Sequence, residues 1–226
     1  MTAVVIPCLN RVDLTRACIA SLAEHTPDVD VVLVDNASTD ATCDLPAAVR
    51  NPVNFGFARA CNQGAKATDA EVVVFLNNDT EVTEGWLNPL LEALDDPSVG
   101  IAGSKLLYPH GGVQHAGVGV DLSRQPGLEA WNITDDWATD NQQVDAVTGA
   151  CLAVRRDTFA ALGGFDEGYW NGYEDVDLCL TALAAGLSNV YVPASVVIHH
   201  ESASGPARWS KVAENVHRLR TKWGAA

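Results

Sequence analysis

The chain has 226 residues, of which 47% are hydrophobic, enough to bury a sizeable core in one α/β domain. Its formal net charge is −15, with only four lysines. Such a surface repels phosphate backbones and argues against a general nucleic-acid binder.

Ala3–Pro7 is a short apolar, β-branched run ending at proline, which predicts a buried strand. Apolar residues at 14, 18, 19 and 22 predict a helix over Leu14–Ala23. Asp30–Val34 reads as a second strand, stopped by Asp35-Asn36-Ala37-Ser38-Thr39-Asp40. Asn54–Ala67, rich in small residues, reads as a loop running into a helix. Glu71–Leu76 predicts a third strand, Glu84–Leu94 a helix and Val99–Leu107 another strand. Strand and helix alternating at these lengths imply right-handed crossovers and a mostly parallel sheet. Ligands of such sheets gather at the carboxyl ends of the strands. Three polar clusters fall there: Pro7–Asn10, Asp35–Asp40 and Asn77–Asp79.

Pro109–Asp145 has no clear period and reads as a long site loop or short antiparallel strands. Val147–Arg155 is expected to be a strand and Asp175–Ala185 a helix capped by Gly186. Asn189–Val192 and Ser195–Ile198 read as two short strands. Trp209, Val212, Ala213, Val216, Leu219 and Trp223 mark an amphipathic final helix. Pro206–Trp223 carries five basic residues, Arg208, Lys211, Arg218, Arg220 and Lys222, against one acid, Glu214. A packed helix with a solvated basic face accounts for them, and so does contact with anionic lipid or a lipid diphosphate.

The longest apolar runs are too short to cross a bilayer. Met1–Pro7 lacks a basic start, so no signal peptide is expected, and a cytoplasmic location is. Six cysteines without CxxC spacing are expected to be free thiols.

Four segments carry residue types suited to chemistry. Asn77-Asn78-Asp79 ends a strand with oxygen donors, which hard divalent cations prefer. Equally, it is a turn-forming sequence. Glu174, Asp175 and Asp177 open a helix, where acids complement the dipole. Asp175 is also placed to act as a general base, although a helix N-terminus lowers a carboxylate's pKa. His199-His200 follows an apolar strand, so alternation sends at most one of them into a site. Asn54–Gly64 matches neither the P-loop nor the dinucleotide fingerprint, but a glycine turn at a helix start suits phosphate or ribose.

Taken in order, Val-Ile-Pro-Cys-Leu-Asn, Val-Asp-Asn-Ala-Ser-Thr-Asp, Asn-Phe-Gly-Phe-Ala-Arg-Ala-Cys-Asn-Gln-Gly, Leu-Asn-Asn-Asp, Val-Thr-Gly-Ala-Cys, Gly-Gly-Phe-Asp-Glu and Glu-Asp-Val-Asp-Leu-Cys resemble family 2 glycosyltransferases of GT-A fold. The resemblance is strongest to their rhamnosyltransferase-like branch, which builds bacterial cell-surface polysaccharide, and it runs from Ala3 to Trp223. It implies one domain over residues 1–226: a nucleotide-binding half (1–107), a smaller acceptor-side half (108–205) and a C-terminal amphipathic helix (206–226). It implies a Rossmann-like, mostly parallel sheet flanked by helices.

The resemblance also implies roles. Pro7, Leu9 and Asp35 match contacts to the nucleotide base, with weaker claims for Asn10, Asn36 and Ser38. Asn54, Gly56, Phe57 and Asn62 match the nucleoside and diphosphate segment. Asn77-Asn78-Asp79 stands at the family's DxD motif, with Asn77 and Asn78 on the donor side and Asp79 a metal ligand. Asp175 matches the catalytic base. Glu174, Trp170 and Gly149 fall on the acceptor side. His199 matches the late metal-binding histidine, with His200 as the register alternative. The implied cofactor is Mn2+ or Mg2+. The implied partners are a uridine- or thymidine-diphosphate sugar and a glycan or lipid-linked acceptor hydroxyl, in an inverting single displacement. Only one of the three DxD positions is a carboxylate. The alternative is an inactive homologue that binds nucleotide or glycan; Asp79, Asp175 and His199 together speak against it. A sugar nucleotidyltransferase would need a Gly-rich, basic loop after the first strand, which Cys8-Leu9-Asn10-Arg11 is not.

Overall fold

A computed structural model describes residues 1–121, 129–200 and 210–224. The chain opens with β1 (Thr2–Cys8), α1 (Val12–His25), β2 (Asp30–Asp35) and β3 (Val49–Arg50). Next come α2 (Phe57–Lys66), β4 (Val72–Leu76), β5 (Thr80–Val82) and α3 (Leu87–Leu94). β6 (Val99–Leu107), β7 (Val113–His115), β8 (Val118–Asp121), β9 (Glu129–Asn132) and β10 (Gln142–Val144) follow. The described chain ends with β11 (Cys151–Arg155), α4 (Arg156–Ala161), α5 (Glu174–Ala184), β12 (Ser188–His199) and α6 (Val212–Trp223).

The main sheet runs β10-β12-β6-β11-β4-β1-β2-β3, with β5 on β12 and β7 on β6. β1 is central, parallel to both β2 and β4. Its residues are apolar on both faces because helices cover both. Ala3 and Val5 join Val73 and Phe75 in one core layer; Val4 and Ile6 join Val74, Leu76 and Trp86 in the other. α2 lies so close on β1 that a Cβ at Gly64 would stand 2.3 Å from Val5 Cγ1. Only glycine permits that approach.

The expected βαβ order is present, with refinements. β11 is antiparallel to both β4 and β6, inserted into an otherwise parallel run. The strand expected over Val147–Arg155 is shorter: 147–150 leave the sheet, and Gly149 spends its N–H on a side chain instead. The two strands expected around Pro193 are one, β12, whose partners on β6 skip from Val192↔Ser104 to Val196↔Lys105. A bulge takes up the extra residues, where proline has no ladder N–H to give. Pro109–Asp145 contains short antiparallel strands, as one of its two readings had it. All six cysteines are free, and five are buried. Trp209 and Arg208 lie outside the described residues. Among those described, no helix is long and apolar enough to cross a membrane.

Candidate functional site

One cavity opens at the carboxyl ends of β1 and β4. Its walls include Pro7, Leu9 and Asn36 from the first two strand tips, Asn54 and Phe57 from the loop into α2, and Asn77–Asp79 after β4. Thr148–Ala150, Trp170–Gly172, Glu174, Asp175 and His199 complete it. Asp79, Asp175 and His199, distant in sequence, thus face one space.

Asp79 and His199 meet because β5 and β12 pair. Asp79 immediately precedes β5, His199 ends β12, and His199 is in register with Thr80. The Asp79 carbonyl accepts the His200 N–H at 2.9 Å, and His199 Nε2 lies 3.2 Å from Asp79 Oδ1. Both residues are buried, at 7% and 6% exposure, yet border the cavity. Alternation turns His200 away from the cavity, and it meets Glu81 Oε1 at 2.6 Å, half-exposed. Asn77 Nδ2 approaches His199 Nε2 at 3.4 Å, whereas Asn78 Nδ2 donates to Thr15 Oγ1. A carboxylate beside an imidazole suits a divalent cation, and two protein donors leave positions open to a diphosphate. Among the described residues there is no group of three or more His, Cys, Asp or Glu side chains able to hold a metal, so the site is lean.

Asp175 stands in the first turn of α5, partly open to the cavity. Its Oδ2 accepts the Gly149 N–H at 2.8 Å and its Oδ1 the Val176 N–H at 2.9 Å. A depressed pKa was the expectation at a helix start. Burial outweighs those hydrogen bonds, and the carboxyl is held above its ordinary value. Desolvation therefore makes Asp175 a better proton acceptor than its helical position alone would. Gly149 is fitted to this place: a Cβ there would stand 3.2 Å from the Phe57 ring and 3.4 Å from Asp175 Cβ. Neighbouring Asp177 is not a free dipole acid. It is buried against α6, accepting from Lys222 Nζ at 2.7 Å, Trp223 Nε1 at 2.8 Å and the Tyr169 hydroxyl at 3.2 Å.

Several residues expected to contact the nucleotide also hold the loops. Asp35 is buried, accepting from Arg50 Nη1 at 2.8 Å and the Ser38 N–H at 2.9 Å. Ser38 Oγ accepts the Asn10 N–H, and Asn10 Oδ1 accepts the Thr39 N–H, which ties the β1 and β2 tips together. Asn36 borders the cavity, but its amide oxygen takes the Asn51 and Phe55 hydrogens while its nitrogen serves Asn54 and Gly56. Asn62 is turned away, donating to the Phe165 carbonyl and Glu167 and accepting the Phe165 N–H. Gly56, at φ 84°, starts α2 and lies against the Trp170 ring.

Three contributors escaped sequence reasoning. Gln114 of β7 contacts His199 twice. Asn171 Oδ1 accepts the Phe57 N–H at 2.9 Å and so satisfies the α2 start. Asn215 of α6 accepts the Trp170 N–H and donates to the Trp170 and Gly172 carbonyls, at 2.9–3.1 Å. Each bridges segments far apart in sequence, so no local pattern announces it. On the same helix, Arg218 forks onto Asp166 and Lys211 pairs with Glu214. With Lys222 on Asp177, much of the expected basic face is turned to internal partners.

The sequence model described as glycosyl transferase family 2 matches residues 3–163. The O-antigen biosynthesis protein RfbC of Myxococcus xanthus is 37% identical over 89% of this chain and 17% of its own length. The N-acetylglucosaminyl-diphospho-decaprenol L-rhamnosyltransferase of Mycobacterium tuberculosis is 33% identical over 81% of this chain and 70% of its own. This chain thus spans under a third of the length of RfbC and of a second relative, from Sinorhizobium fredii. Among solved structures, GalNAc-T7 with UDP, GalNAc and Mn2+ superposes with a TM-score of 0.72 at 20% identity, over 88% of this chain and 43% of that one. The shared architecture is the GT-A fold, as the motifs led one to expect.

Proposed function

The chain belongs to glycosyltransferase family 2, and on that premise we propose that it moves one sugar, with inversion, from a uridine- or thymidine-diphosphate donor to a hydroxyl of a glycan or lipid-linked glycan. The observation that carries this reading is the shared cavity: Asp175 with a raised proton affinity in one wall, Asp79 beside His199 in another.

Asp175 takes the proton from the acceptor hydroxyl, whose oxygen bonds to the anomeric carbon as the bond to the donor diphosphate breaks. The electron pair of the broken bond leaves on the diphosphate, and no covalent sugar–protein intermediate forms. Gly149 and Val176 hold Asp175 in place through their N–H groups. Asp79 and His199 would hold a divalent cation, Mn2+ or Mg2+, which would supply positive charge to offset that on the leaving diphosphate. Pro7 and Leu9 offer apolar contact to the base, and the Asn54–Phe57 turn borders the nucleoside. Trp170, with Glu174 and Gly149 nearby, forms the acceptor side. Asp35, Asn36, Ser38, Asn10, Gly56 and Asn62 contribute by fixing these loops.

Incubation with a panel of nucleoside diphosphate sugars and Mn2+ tests the proposal. Donor turnover to the inverted anomer, dependent on Asp79 and Asp175, is expected. If no donor binds or turns over, and Asp79→Ala changes nothing, the transfer reading fails; donor binding without turnover would leave the nucleotide-binding alternative.

A further inference from the structure

Gln114 is buried, at 6% exposure, and its amide grips His199 at two points. Gln114 Nε2 donates to the His199 carbonyl at 3.2 Å, and Gln114 Oε1 lies 2.6 Å from His199 Nδ1. A carbonyl oxygen only accepts, so the atom facing it must be the amide nitrogen. The amide oxygen therefore faces Nδ1 and, being an acceptor too, requires a hydrogen there. We propose that Gln114 is a positioning residue that locks His199 with its hydrogen on Nδ1 and presents an unprotonated Nε2 to a cation beside Asp79. The proposal rests on the reading of Asp79 and His199 as metal holders.

The alternative tautomer shows what this lock decides. With its hydrogen on Nε2, His199 would donate to Asp79 Oδ1 across the same 3.2 Å. Both ligands would then be consumed in one hydrogen bond. With the hydrogen on Nδ1, two lone-pair bearers converge on the cavity, and a cation between them relieves their repulsion. Gln114 is itself braced. Its carbonyl accepts from Asn132 Nδ2 at 2.7 Å, and β7 is paired to β6. The next residue, His115, meets Asn132 Oδ1 through Nδ1 at 2.6 Å and accepts the Thr148 N–H on Nε2 at 3.3 Å. Thr148 precedes Gly149, which holds Asp175. One three-residue strand thus supports the histidine of the cation site and the loop beneath the base.

The test compares the full chain with Gln114→Met, which keeps side-chain length but removes the acceptor. The 15N spectrum of the neutral imidazole in metal-free protein, taken at the alkaline end of its titration, reports the tautomer directly. Wild type is expected to show Nδ1–H, and Gln114→Met a shift to Nε2–H with Mn2+ binding weakened about 10–100-fold. A wild-type spectrum showing Nε2–H overturns the proposal without any variant, so the test survives a Gln114→Met chain that does not fold. A folded Gln114→Met chain that keeps Nδ1–H and binds Mn2+ like wild type overturns the role of Gln114 alone. Wild type that binds no Mn2+ overturns the metal reading beneath it.

Discussion

The backbone N–H of Gly149 donates to Asp175 Oδ2 across 2.8 Å, joining the loop before β11 to the first turn of α5. The bond favours the ionised carboxylate, but burial works against it and prevails.

Asp175→Asn is therefore expected to lower transfer by about 10²–10⁴-fold, the usual range for losing a general base. The pH dependence of stability gives a second readout. An acid whose folded pKa is raised takes up its proton more readily folded than unfolded, so its relative stability is greatest in acid and is lost as pH rises through the folded value. The stability of Asp175→Asn relative to wild type should rise from pH 4 to pH 8, measured by urea unfolding. A flat difference would show that burial does not raise this group.

The two adjacent histidines are expected to behave unequally. His199→Ala should abolish measurable Mn2+ binding and donor turnover, as should Asp79→Ala. His200 meets Glu81 at the half-exposed surface, where such pairs contribute about 0–1 kcal/mol, so His200→Ala should leave both nearly unchanged. Chelation of wild type should arrest turnover and added Mn2+ restore it. The check is titration calorimetry beside a donor assay.

Asn215→Ala removes three hydrogen bonds that fasten Trp170 and Gly172 to α6. Unsatisfied backbone groups there should cost about 1–3 kcal/mol, seen as a lowered midpoint in thermal melts. The acceptor KM should rise more than the donor KM, because the loosened segment is the proposed acceptor side. Equal changes in both would place the loop elsewhere in the reaction.

His115 is buried and its pKa is lowered to about 4, chiefly by burial. The unfolded chain takes up a proton near the ordinary value of about 6.5, which the folded chain refuses until about 4. This contribution is present above 6.5 and is lost as pH falls across that window, by about 3 kcal/mol in all. His115→Asn should flatten that part of the wild-type stability profile. Denaturant midpoints at pH 7.5, 5.5 and 4.5 would show it.

Much of this site is written in local sequence. A buried strand that stops at Asn-Asn-Asp, or a helix that opens with acids, announces itself within ten residues. Such signals are ambiguous singly, since Asn77-Asn78-Asp79 is equally a turn; the seven motifs in order are what single out Asp79, Asp175 and His199, which line one cavity. β5 was not legible, because Thr80-Glu81-Val82 is too short to display a period; yet its pairing with β12 brings Asp79 to His199. Gln114 sits in a stretch without periodicity, and its partner is 85 residues away. The amides were legible as site residues but not in their parts. Asparagine suits a ligand contact and a loop lock equally; Asn36 and Asn62 both make hydrogen bonds that lock loops, and Asn36 also borders the cavity. The basic character of α6 showed in the sequence, but not that Arg218 and Lys222 answer Asp166 and Asp177.

The clasp between Asn215 and the Trp170–Gly172 segment also bears on the order in which the protein is made. Synthesis runs from the amino end, so Asp79, Gln114, Asp175 and His199 are all joined to the chain before Asn215 is added. An emerged chain whose α6 has not yet docked can pair β5 with β12, and so bring Asp79 to His199, while the wall carrying Trp170 still lacks its fastening. The cavity gains its final outline only when α6 docks, and a nascent chain short of that helix would hold an unfinished binding face.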